Sequence, residues 1–388
     1  MEEIIKSNLR KYIQKFYHIN ISTKYIGVTL KNLGGLSNIN FVATITNKST
    51  NERICIILYR HFGEISDVVD RDLETMIIEQ LANKGIGPKI YYNDPNNKFR
   101  LNEYLEDTLP ISKKDEFNPV VIDQIINIII NYSLITNLYK YNITNEIINY
   151  SIVNEKGNSK MKRINKNQFD TCMTDMYIKA LNAYKIFSEK FTAAIPQEGN
   201  EEYYHYLQKF DYYLNNFKEM FLKVFPKQGF LILCHNDVHR LNFIIRQNDN
   251  KLFVLDHEYA CLNLPGNDIA NYMNESNFIY EPDYIFTKEK INFDKYFEFY
   301  KIYFEKFEEN YKILNDSKAG KDFLLLMQTK KYYIQLHQII NLFWLLYSAI
   351  YLNFDNWNKD HNDFYYLHFI HRIQYLEKGE EALSALSA

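Results

Sequence analysis

The sequence HNDVHRLN at residues 235–242, followed by FVLDHEY at residues 253–259, is the most informative pattern in the chain. The first stretch has the form HxDxxxxN and is polar, which predicts a loop ending in the amide of Asn242. The second is an apolar run ending in an acid, which predicts a short strand carrying the carboxylate of Asp256. A bare HxD is common, and His235 alone would more often be a structural histidine. The full spacing is much rarer, so we interpret the two stretches as one functional site.

The residue types in these stretches suit phosphoryl transfer. In such reactions one carboxylate, here Asp237, orients the acceptor hydroxyl and takes its proton. An amide and a second carboxylate, here Asn242 and Asp256, hold Mg²⁺ on the phosphates of ATP, because Mg²⁺ prefers oxygen ligands and takes few of them from protein. The sequence therefore predicts Asp237, Asn242 and Asp256 as catalytic residues, with Asn242 and Asp256 as the metal ligands.

Hydrophobic periodicity divides the rest of the chain into a β-rich beginning and a mostly helical remainder. The predicted elements of the beginning are, in order, a helix over 1–20, strands over 25–31, 39–46 and 53–59, a helix over 65–84, and strands over 89–92 and 99–104. Helices follow, interrupted by a short β region at 230–234, 243–246 and 252–255. This order predicts a two-lobed, protein-kinase-like fold of the α+β class. We expect a β-rich nucleotide-binding lobe over residues 1–105 and a mainly helical catalytic and substrate-binding lobe over residues 106–388.

Longer matches around the two stretches resemble the choline/ethanolamine kinase family. HNDVHRLNFI…FVLDHEYACLNLPGNDIANYMNE, from His235 to Glu275, is similar to the family signature, which usually reads close to HNDLxxxNI…IDFEY…N…DIxNxFxE. Upstream segments resemble further family motifs in the same order: NLGGLSN at 32–38, ILYRHFG at 57–63, VDRDLE at 69–74 and GPKIY at 87–91. The resemblance covers most of the chain, and a looser match follows near the C-terminus.

The resemblance implies a nucleotide site for ATP and Mg²⁺. Arg60 matches the strand cation that contacts the α- and β-phosphates, and Glu74 matches the helix glutamate that pairs with it. Taken alone, Arg60 could be a surface charge at a strand end, and Glu74 could lie on a solvated helix face. Glu103 and Leu105 match the hinge segment, where backbone groups contact adenine.

The segment NLGGLSN matches the family's phosphate loop. Gly34 and Gly35 would let the backbone approach phosphate closely. Ser37 and Asn38 suit phosphate contacts, although the same residues suit an ordinary turn. A GG pair by itself is a weak signal and would indicate only a hairpin.

A quaternary ammonium ion cannot form hydrogen bonds, so aromatic faces and a carboxylate must hold it. The resemblance places such groups at Tyr259, Glu275, Tyr280, Trp344, Tyr347 and Phe364. Trp344 and Tyr347 are three positions apart and so share one face of a helix. Because aromatic residues make up 16% of the chain, this pair could also belong to an ordinary core.

Three positions depart from the family pattern. Tyr347 stands where the family has a second Trp, and His257 replaces the usual Phe. His239 occupies a position where choline kinases usually carry Gln and ethanolamine kinases an apolar residue. His239 could contact the acceptor together with Asp237, or it could be a loop histidine facing solvent. These departures bear on the identity of the substrate more than on the type of reaction.

The resemblance implies a homodimeric choline kinase that makes phosphocholine for phosphatidylcholine synthesis. Ethanolamine kinase is the nearest alternative, since a primary ammonium wants hydrogen-bond acceptors rather than an aromatic cage. Aminoglycoside-type phosphotransferases share HxDxxxxN but lack the C-terminal Trp-x-x-aromatic helix. A non-catalytic kinase-like binding protein would have lost Asp237, Asn242 or Asp256, and all three are present.

Composition excludes several other classes. A net charge of −3 gives no reason to expect a nucleic-acid partner. The four cysteines are scattered, without a CxxC pair, which argues against a zinc cluster or a disulfide framework. The most apolar long stretch, residues 120–138, contains Asp123 and several Asn, so we predict a buried helix and no stable membrane insertion. The N-terminus lacks signal-peptide features, which favours a cytoplasmic location, and the polar segment 154–167 is predicted to be a surface loop.

Overall fold

The computed structural model of the chain describes residues 2–16, 23–34, 38–63, 70–144, 147–153, 201–279, 285–286, 291–351 and 364–387. The chain groups into two compact units. The first unit contains residues 1–110 and 243–258, and the second contains residues 111–242 and 259–388. Residues 243–258, predicted to belong to the C-terminal lobe, group in the structure with the N-terminal sheet region.

A five-stranded antiparallel sheet forms the centre of the first unit, with strand order β1-β2-β3-β5-β4. The strands are β1 Ile26–Gly34, β2 Asn38–Asn47, β3 Arg53–Phe62, β4 Ile90–Asp94 and β5 Phe99–Glu103. All five strands predicted for this region are present. Helix α1, Glu2–Phe16, belongs to the same buried cluster as the sheet through Ile5, Leu9 and Ile13. Removal of these side chains from water holds the helix on the sheet.

Helix α2, Arg71–Asn83, has well-defined ends. Its N-cap is Asp70, whose side chain accepts a hydrogen bond from the backbone N–H of Leu73 at 3.0 Å. Its C-terminus is followed by Gly85, which has a φ of 69°. Glycine adopts this left-handed conformation without steric cost, which explains why the helix stops there, as the sequence predicts.

A small three-stranded sheet completes the first unit. Its strands are β6 Thr108–Pro110, β10 Phe243–Arg246 and β11 Leu252–Val254, in the order β11-β10-β6. In addition, the backbone N–H of Val254 donates to the carbonyl of Ile86 at 3.1 Å. These pairings explain why residues 243–258 belong to the first unit. Asp256 lies two residues after the end of β11.

Helices make up most of the described part of the second unit. Those described are α3 Pro119–Ser133, α4 Glu201–Asn215, α5 Phe217–Val224, α6 Asn267–Glu275, α7 Phe293–Asn310, α8 Lys318–Met327, α9 Lys330–Tyr351 and α10 Phe364–Ala385. Fully buried aromatic rings pack between them; the rings of Tyr300 in α7 and Tyr333 in α9 lie 5.0 Å apart. Gly266 precedes α6 with a φ of 89°, and a Cβ there would lie 2.6 Å from the Tyr300 ring, so only glycine fits.

A four-stranded sheet in the second unit contains a hairpin that the sequence analysis missed. Its order is β12-β9-β7-β8, with β7 Tyr139–Thr144, β8 Ile147–Ile152, β9 Gln228–Cys234 and β12 Cys261–Asn263. A two-stranded ribbon is also present, formed by β13 Phe278–Ile279 and β14 Ile285–Phe286. The region after residue 104 is predicted to be mostly helical. However, the sequence YKYNITNEIINYSI at residues 139–152 has β-branched and aromatic runs on both sides of a polar turn, which indicate a hairpin.

The predicted α+β class is confirmed, with a sheet-rich N-terminal region and a helical C-terminal region. The buried helix predicted within residues 120–138 is present as α3. Among the described residues, no helix combines the length and the apolar character needed to cross a membrane. The predicted surface loop at 154–167 lies outside the described residues.

His337 is a buried histidine in the middle of α9. Its ring centroid lies 4.6 Å from that of Tyr333, 5.2 Å from that of Phe293 and 5.8 Å from that of Tyr375. Neither ring nitrogen has a hydrogen-bond partner within the described part of the chain. Burial therefore lowers the pKa of His337 from 6.5 to about 3, because the charged form loses its hydration.

We expect His337→Phe to reduce the loss of stability in acid. Below pH 6.5 the unfolded chain binds a proton at this residue, whereas the folded chain binds it only near pH 3. The wild type therefore loses up to about 1.4 kcal/mol of unfolding free energy per pH unit in this window. Phenylalanine keeps the ring packing and cannot be protonated. The measurement is the difference in Tm between about pH 7.5 and about pH 5.

The matched control for this substitution is Tyr333→Phe, because the Tyr333 ring packs on His337 and burial raises the pKa of its hydroxyl, which therefore does not titrate in acid. The control should keep the pH dependence of the wild type. A Tm difference in His337→Phe as large as that of the wild type would contradict the explanation.

Candidate active site

Asp268 at the start of α6 fixes the loop that follows β9. Its Oδ2 accepts a hydrogen bond from the backbone N–H of His235, and its Oδ1 accepts one from that of Asn236, both at 2.8 Å. Burial raises the pKa of Asp268 from 3.8 to about 6, and the two N–H donors oppose that shift. Because adjacent amides engage both carboxylate oxygens, the backbone direction at the start of the loop is set by Asp268.

The side chain of Asn236 holds the same loop on its other side. Its Nδ2 donates to the carbonyls of Tyr259 at 3.0 Å and Cys234 at 3.2 Å, and its Oδ1 accepts from Asn263 at 2.8 Å. Its φ is 66°, a conformation that few residues other than glycine adopt. Because both the nitrogen and the oxygen of this buried amide are hydrogen-bonded, the loop is restricted to one arrangement.

The loop brings Asp237 and Asn242 together. A short 3₁₀ turn, Arg240–Asn242, returns the chain so that Asn242 Nδ2 donates to the backbone oxygen of Asp237 at 2.9 Å and to its Oδ2 at 3.1 Å. The backbone N–H of Asp237 donates to Nδ1 of His235 at 3.3 Å. His239 Nε2 lies 3.7 Å from Asp237 Oδ1. The structure thus groups three predicted site residues in one partly exposed loop.

Arg60 is the centre of a buried cluster of charged side chains in the first unit. Its Nη2 lies 2.6 Å from Asp256 Oδ1, 3.5 Å from Glu258 Oε2 and 3.8 Å from Glu74 Oε1. Burial alone would lower the pKa of Arg60, but the three carboxylates raise it above its ordinary value. The predicted pair of Arg60 with Glu74 is present, although Asp256 is the nearer partner.

Two further arginines hold Glu74. Its carboxylate lies 2.9 Å from Arg71 Nη1 and 3.0 Å from Arg100 Nη2. Burial would raise the pKa of Glu74, but the guanidinium groups of Arg60, Arg100 and Arg71 lower it below its usual range. Arg100 is fully buried, and that burial lowers the pKa of Arg100 while Glu74 opposes the shift.

Asn38 joins this charged cluster at the beginning of β2. Its Nδ2 donates to Glu258 Oε2 at 2.8 Å, and its Oδ1 accepts from Arg71 Nη2 at 3.0 Å. The side chain predicted to contact phosphate is therefore also bonded to protein groups. Gly34 is the last residue of β1. Two further predicted residues lie outside the described residues: Gly35 and Ser37.

The predicted adenine segment follows β5. The backbone N–H of Glu103 donates to the carbonyl of Lys89 at 2.8 Å, and its Oε2 accepts from the N–H of Lys89 at 3.1 Å. The carbonyl of Leu105 accepts the hydroxyl of Thr108 at 2.8 Å. These contacts tie the segment to the start of β4 and to β6.

Aromatic rings predicted to hold an ammonium group meet in the second unit. The ring of Tyr259 lies 5.7 Å from that of Trp344 and 6.2 Å from that of Tyr347, with interplanar angles of 75° and 90°. Trp344 and Tyr347 are themselves 5.4 Å apart at 81°. Phe343 also contacts Tyr259, at 5.9 Å, and was not predicted. The three predicted rings therefore form one buried cluster of edge-to-face contacts.

The remaining predicted substrate residues have different surroundings. Glu275 at the end of α6 forms a buried ion pair with Arg372, with 2.8 Å between Oε1 and Nη2. Phe364 begins α10 and stacks on His368, with 5.5 Å between ring centroids. Tyr280 lies outside the described residues.

Comparison with known proteins identifies the family. The model of the choline/ethanolamine kinase family matches residues 30–374, which is most of the chain. The chain belongs to the choline/ethanolamine kinase family. Membership confirms the resemblance seen in the sequence and implies a phosphotransferase that uses ATP.

Solved structures of similar fold include several family members. The kinase is similar to choline kinase from Cryptosporidium parvum Iowa II, with a TM-score of 0.63 and 21% identity over 100% of this chain and 97% of that one. It is also similar to an ethanolamine kinase from Plasmodium vivax, with a TM-score of 0.51 and 16% identity over 95% of this chain and 87% of that one. At 21% and 16% identity, these similarities show a shared fold and do not identify the substrate. No curated protein sequence matches the kinase.

The kinase offers oxygen ligands that suit a magnesium ion. Nδ2 of Asn242 is bonded to Asp237, so Oδ1 is the amide atom directed elsewhere. Asp256 has a φ of 61°, and its side chain is 35% exposed although Arg60 contacts one oxygen. Across the described ranges, no three or more His, Cys, Asp or Glu residues group as a metal site. An amide oxygen and a carboxylate oxygen are each ligand types that suit an ion taking its other ligands from phosphate and water.

Proposed function

We propose that the kinase transfers the γ-phosphate of ATP to the hydroxyl of choline, giving phosphocholine for phosphatidylcholine synthesis. In this proposal it is a magnesium-dependent, cytoplasmic homodimer. Family membership supports the reaction type. The main support for the proposal is the pair of hydrogen bonds that Asn242 Nδ2 donates to Asp237, one to its backbone oxygen and one to its Oδ2. These bonds fix a carboxylate and an amide in one loop.

Asp237 acts as the base in this proposal. As the choline oxygen bonds to the γ-phosphorus, the proton of the choline hydroxyl passes to the Asp237 carboxylate. The bond between the γ-phosphorus and the oxygen that bridges it to the β-phosphate breaks, and ADP leaves. The Asn242 amide is neutral, so it orients the Asp237 carboxylate without cancelling its charge. His239 would contact the alcohol from its position 3.7 Å from Asp237 Oδ1.

Arg60 would bind the α- and β-phosphates. Its Nε is buried and has no hydrogen-bond partner within the described ranges, which fits a guanidinium with a donor to offer. Asn242 and Asp256 would hold Mg²⁺, which when bound supplies positive charge against the phosphate oxygens. The remaining nucleotide residues in the proposal are Gly34, Gly35, Ser37, Asn38 and Glu74 for phosphate and its cation, and Glu103 and Leu105 for adenine.

Choline fits the aromatic residues better than ethanolamine does. Each ring face of Tyr259, Trp344 and Tyr347 would contribute roughly 0.5–2 kcal/mol to a bound quaternary ammonium. Ethanolamine would instead donate hydrogen bonds from a primary ammonium, and the Glu275 carboxylate is the feature that favours it as the alternative substrate. Two further residues complete the proposed subsite: Tyr280 and Phe364.

A release assay for ADP with a series of alcohols tests the function. The series is ethanolamine, its mono- and dimethyl derivatives, and choline, each with MgATP. We expect kcat/KM to rise with methylation and to be about tenfold or more higher for choline than for ethanolamine. The reverse order would make the protein an ethanolamine kinase. Calorimetric binding of an alcohol without any release of ADP would indicate a non-catalytic binding protein.

A further inference from the structure

Arg372 in α10 is a fully buried cation among the residues of the proposed ammonium subsite. Its Nη2 lies 2.8 Å from Glu275 Oε1, and its Nη1 donates to Asn341 Oδ1 at 3.2 Å. His368 Nε2, one helical turn away, lies 2.7 Å from the same guanidinium. A buried guanidinium with partners on three sides has one fixed position.

The guanidinium of Arg372 also packs on aromatic rings. Its Cζ lies 4.2 Å from the ring centroid of Phe278 and 5.8 Å from that of Trp344. Trp344 is held in turn by its Nε1, which donates to Asn271 Oδ1 at 3.3 Å. Arg372 therefore contacts both the carboxylate and one of the aromatic rings that the proposed function assigns to the substrate.

The contact changes what Glu275 can offer to a ligand. Oε1 of Glu275 faces Arg372 and also accepts from Asn274 Nδ2 at 3.2 Å. The charge of Glu275 is thus balanced by a protein cation at close range. A carboxylate engaged in this way accepts hydrogen bonds from a primary ammonium less readily than an unengaged one does. A quaternary ammonium donates no hydrogen bonds, so it loses less from this contact.

We infer that Arg372 is a positioning residue that orients and neutralises Glu275, so that aromatic faces select a quaternary or highly methylated ammonium alcohol over a primary one. This inference rests on the proposed function and adds a specificity-determining residue to it.

Steady-state kinetics of Arg372→Met in the full chain test the inference. In this variant Glu275 loses its counter-charge, and the site gains attraction for a primary ammonium. We expect the ratio of kcat/KM for choline to that for ethanolamine to fall about tenfold or more, through the KM values, with the KM for ATP unchanged. Arg372→Lys restores a cation and should recover most of the ratio. Arg53→Met, at a solvent-exposed arginine, is the matched control and should keep the wild-type ratio.

The outcomes separate the inference from the proposed function. A folded Arg372→Met variant with the wild-type ratio, or with kcat reduced equally for both alcohols, would show a purely structural role and overturn the inference alone. Wild-type protein that phosphorylates neither alcohol would overturn the proposed function and the inference together.

A double variant covers the case in which Arg372→Met does not fold. Glu275→Gln combined with Arg372→Met removes both charges, which costs much less than leaving one charge buried and unpaired. We expect this variant to fold and to keep its preference for choline, because the aromatic rings remain. A preference for ethanolamine in the double variant would overturn the inference.

Discussion

Asp237→Ala should lower kcat with choline by about 1000-fold, within the range expected for loss of a general base. The binding of ATP should change little, because Asp237 is assigned to the alcohol and not to the nucleotide. The loop should keep its shape, because Asn242 Nδ2 also bonds to the backbone oxygen of Asp237, at 2.9 Å, and that oxygen remains in the variant. The measurements are kcat from ADP release and the Kd of ATP by calorimetry.

The control for this substitution is Asp249→Ala. Asp249 is an exposed aspartate in the turn after β10, where it pairs with Arg246 at 2.6 Å. Its replacement should leave kcat within about twofold of the wild type. If Asp237→Ala kept most of the activity, Asp237 would not be the base, and the mechanism proposed above would be wrong.

Asp268→Asn should lower kcat by about 100-fold although Asp268 is not assigned to any substrate. The side-chain amide would present an N–H group to one of the two backbone N–H groups that Asp268 now accepts at 2.8 Å. A buried donor would then lose its acceptor, at a cost of about 1–3 kcal/mol, and the loop that carries Asp237 and Asn242 would shift. We expect kcat to fall by more than the loss of stability, measured as the decrease in Tm, can explain. The KM for ATP should change less than kcat does.

The matched control for Asp268→Asn is Asp294→Asn. Asp294 also lies in the first turn of a helix, α7, but it is exposed and pairs with Lys330. This variant should keep wild-type kcat. A folded Asp268→Asn variant with kcat close to that of the wild type would show that the loop does not depend on the Asp268 anchor.

The strands of the first unit could be predicted because their sequences alternate and end at polar turns. The position of residues 243–258 could not, because it depends on the pairing of β10 with β6, which are separated by about a third of the chain. Long-range pairing of this kind leaves no local signal. The hairpin β7–β8 is different: its signal is present in the sequence but lies within a region whose other segments are helical.

The site residues predicted from spacing are those that a short loop brings together, such as Asp237 and Asn242. Two supporting residues were not predicted. Asp268 holds the loop that carries Asp237 and Asn242, and Arg372 balances the charge of Glu275. Asp268 lies inside the quoted family signature, so its position was a usable signal. Arg372 had none, because its role depends on the packing of α10 beside Glu275 and Trp344.

The decisive measurement for the proposed reaction is the formation of its product. Phosphorus NMR of the full chain with MgATP and choline should show a new phosphomonoester signal that grows as the γ-phosphate signal of ATP declines. The signal should be absent without choline and in Asp237→Ala. Loss of the γ-phosphate signal with only inorganic phosphate formed, or an unchanged spectrum, would contradict the proposal that this chain phosphorylates choline.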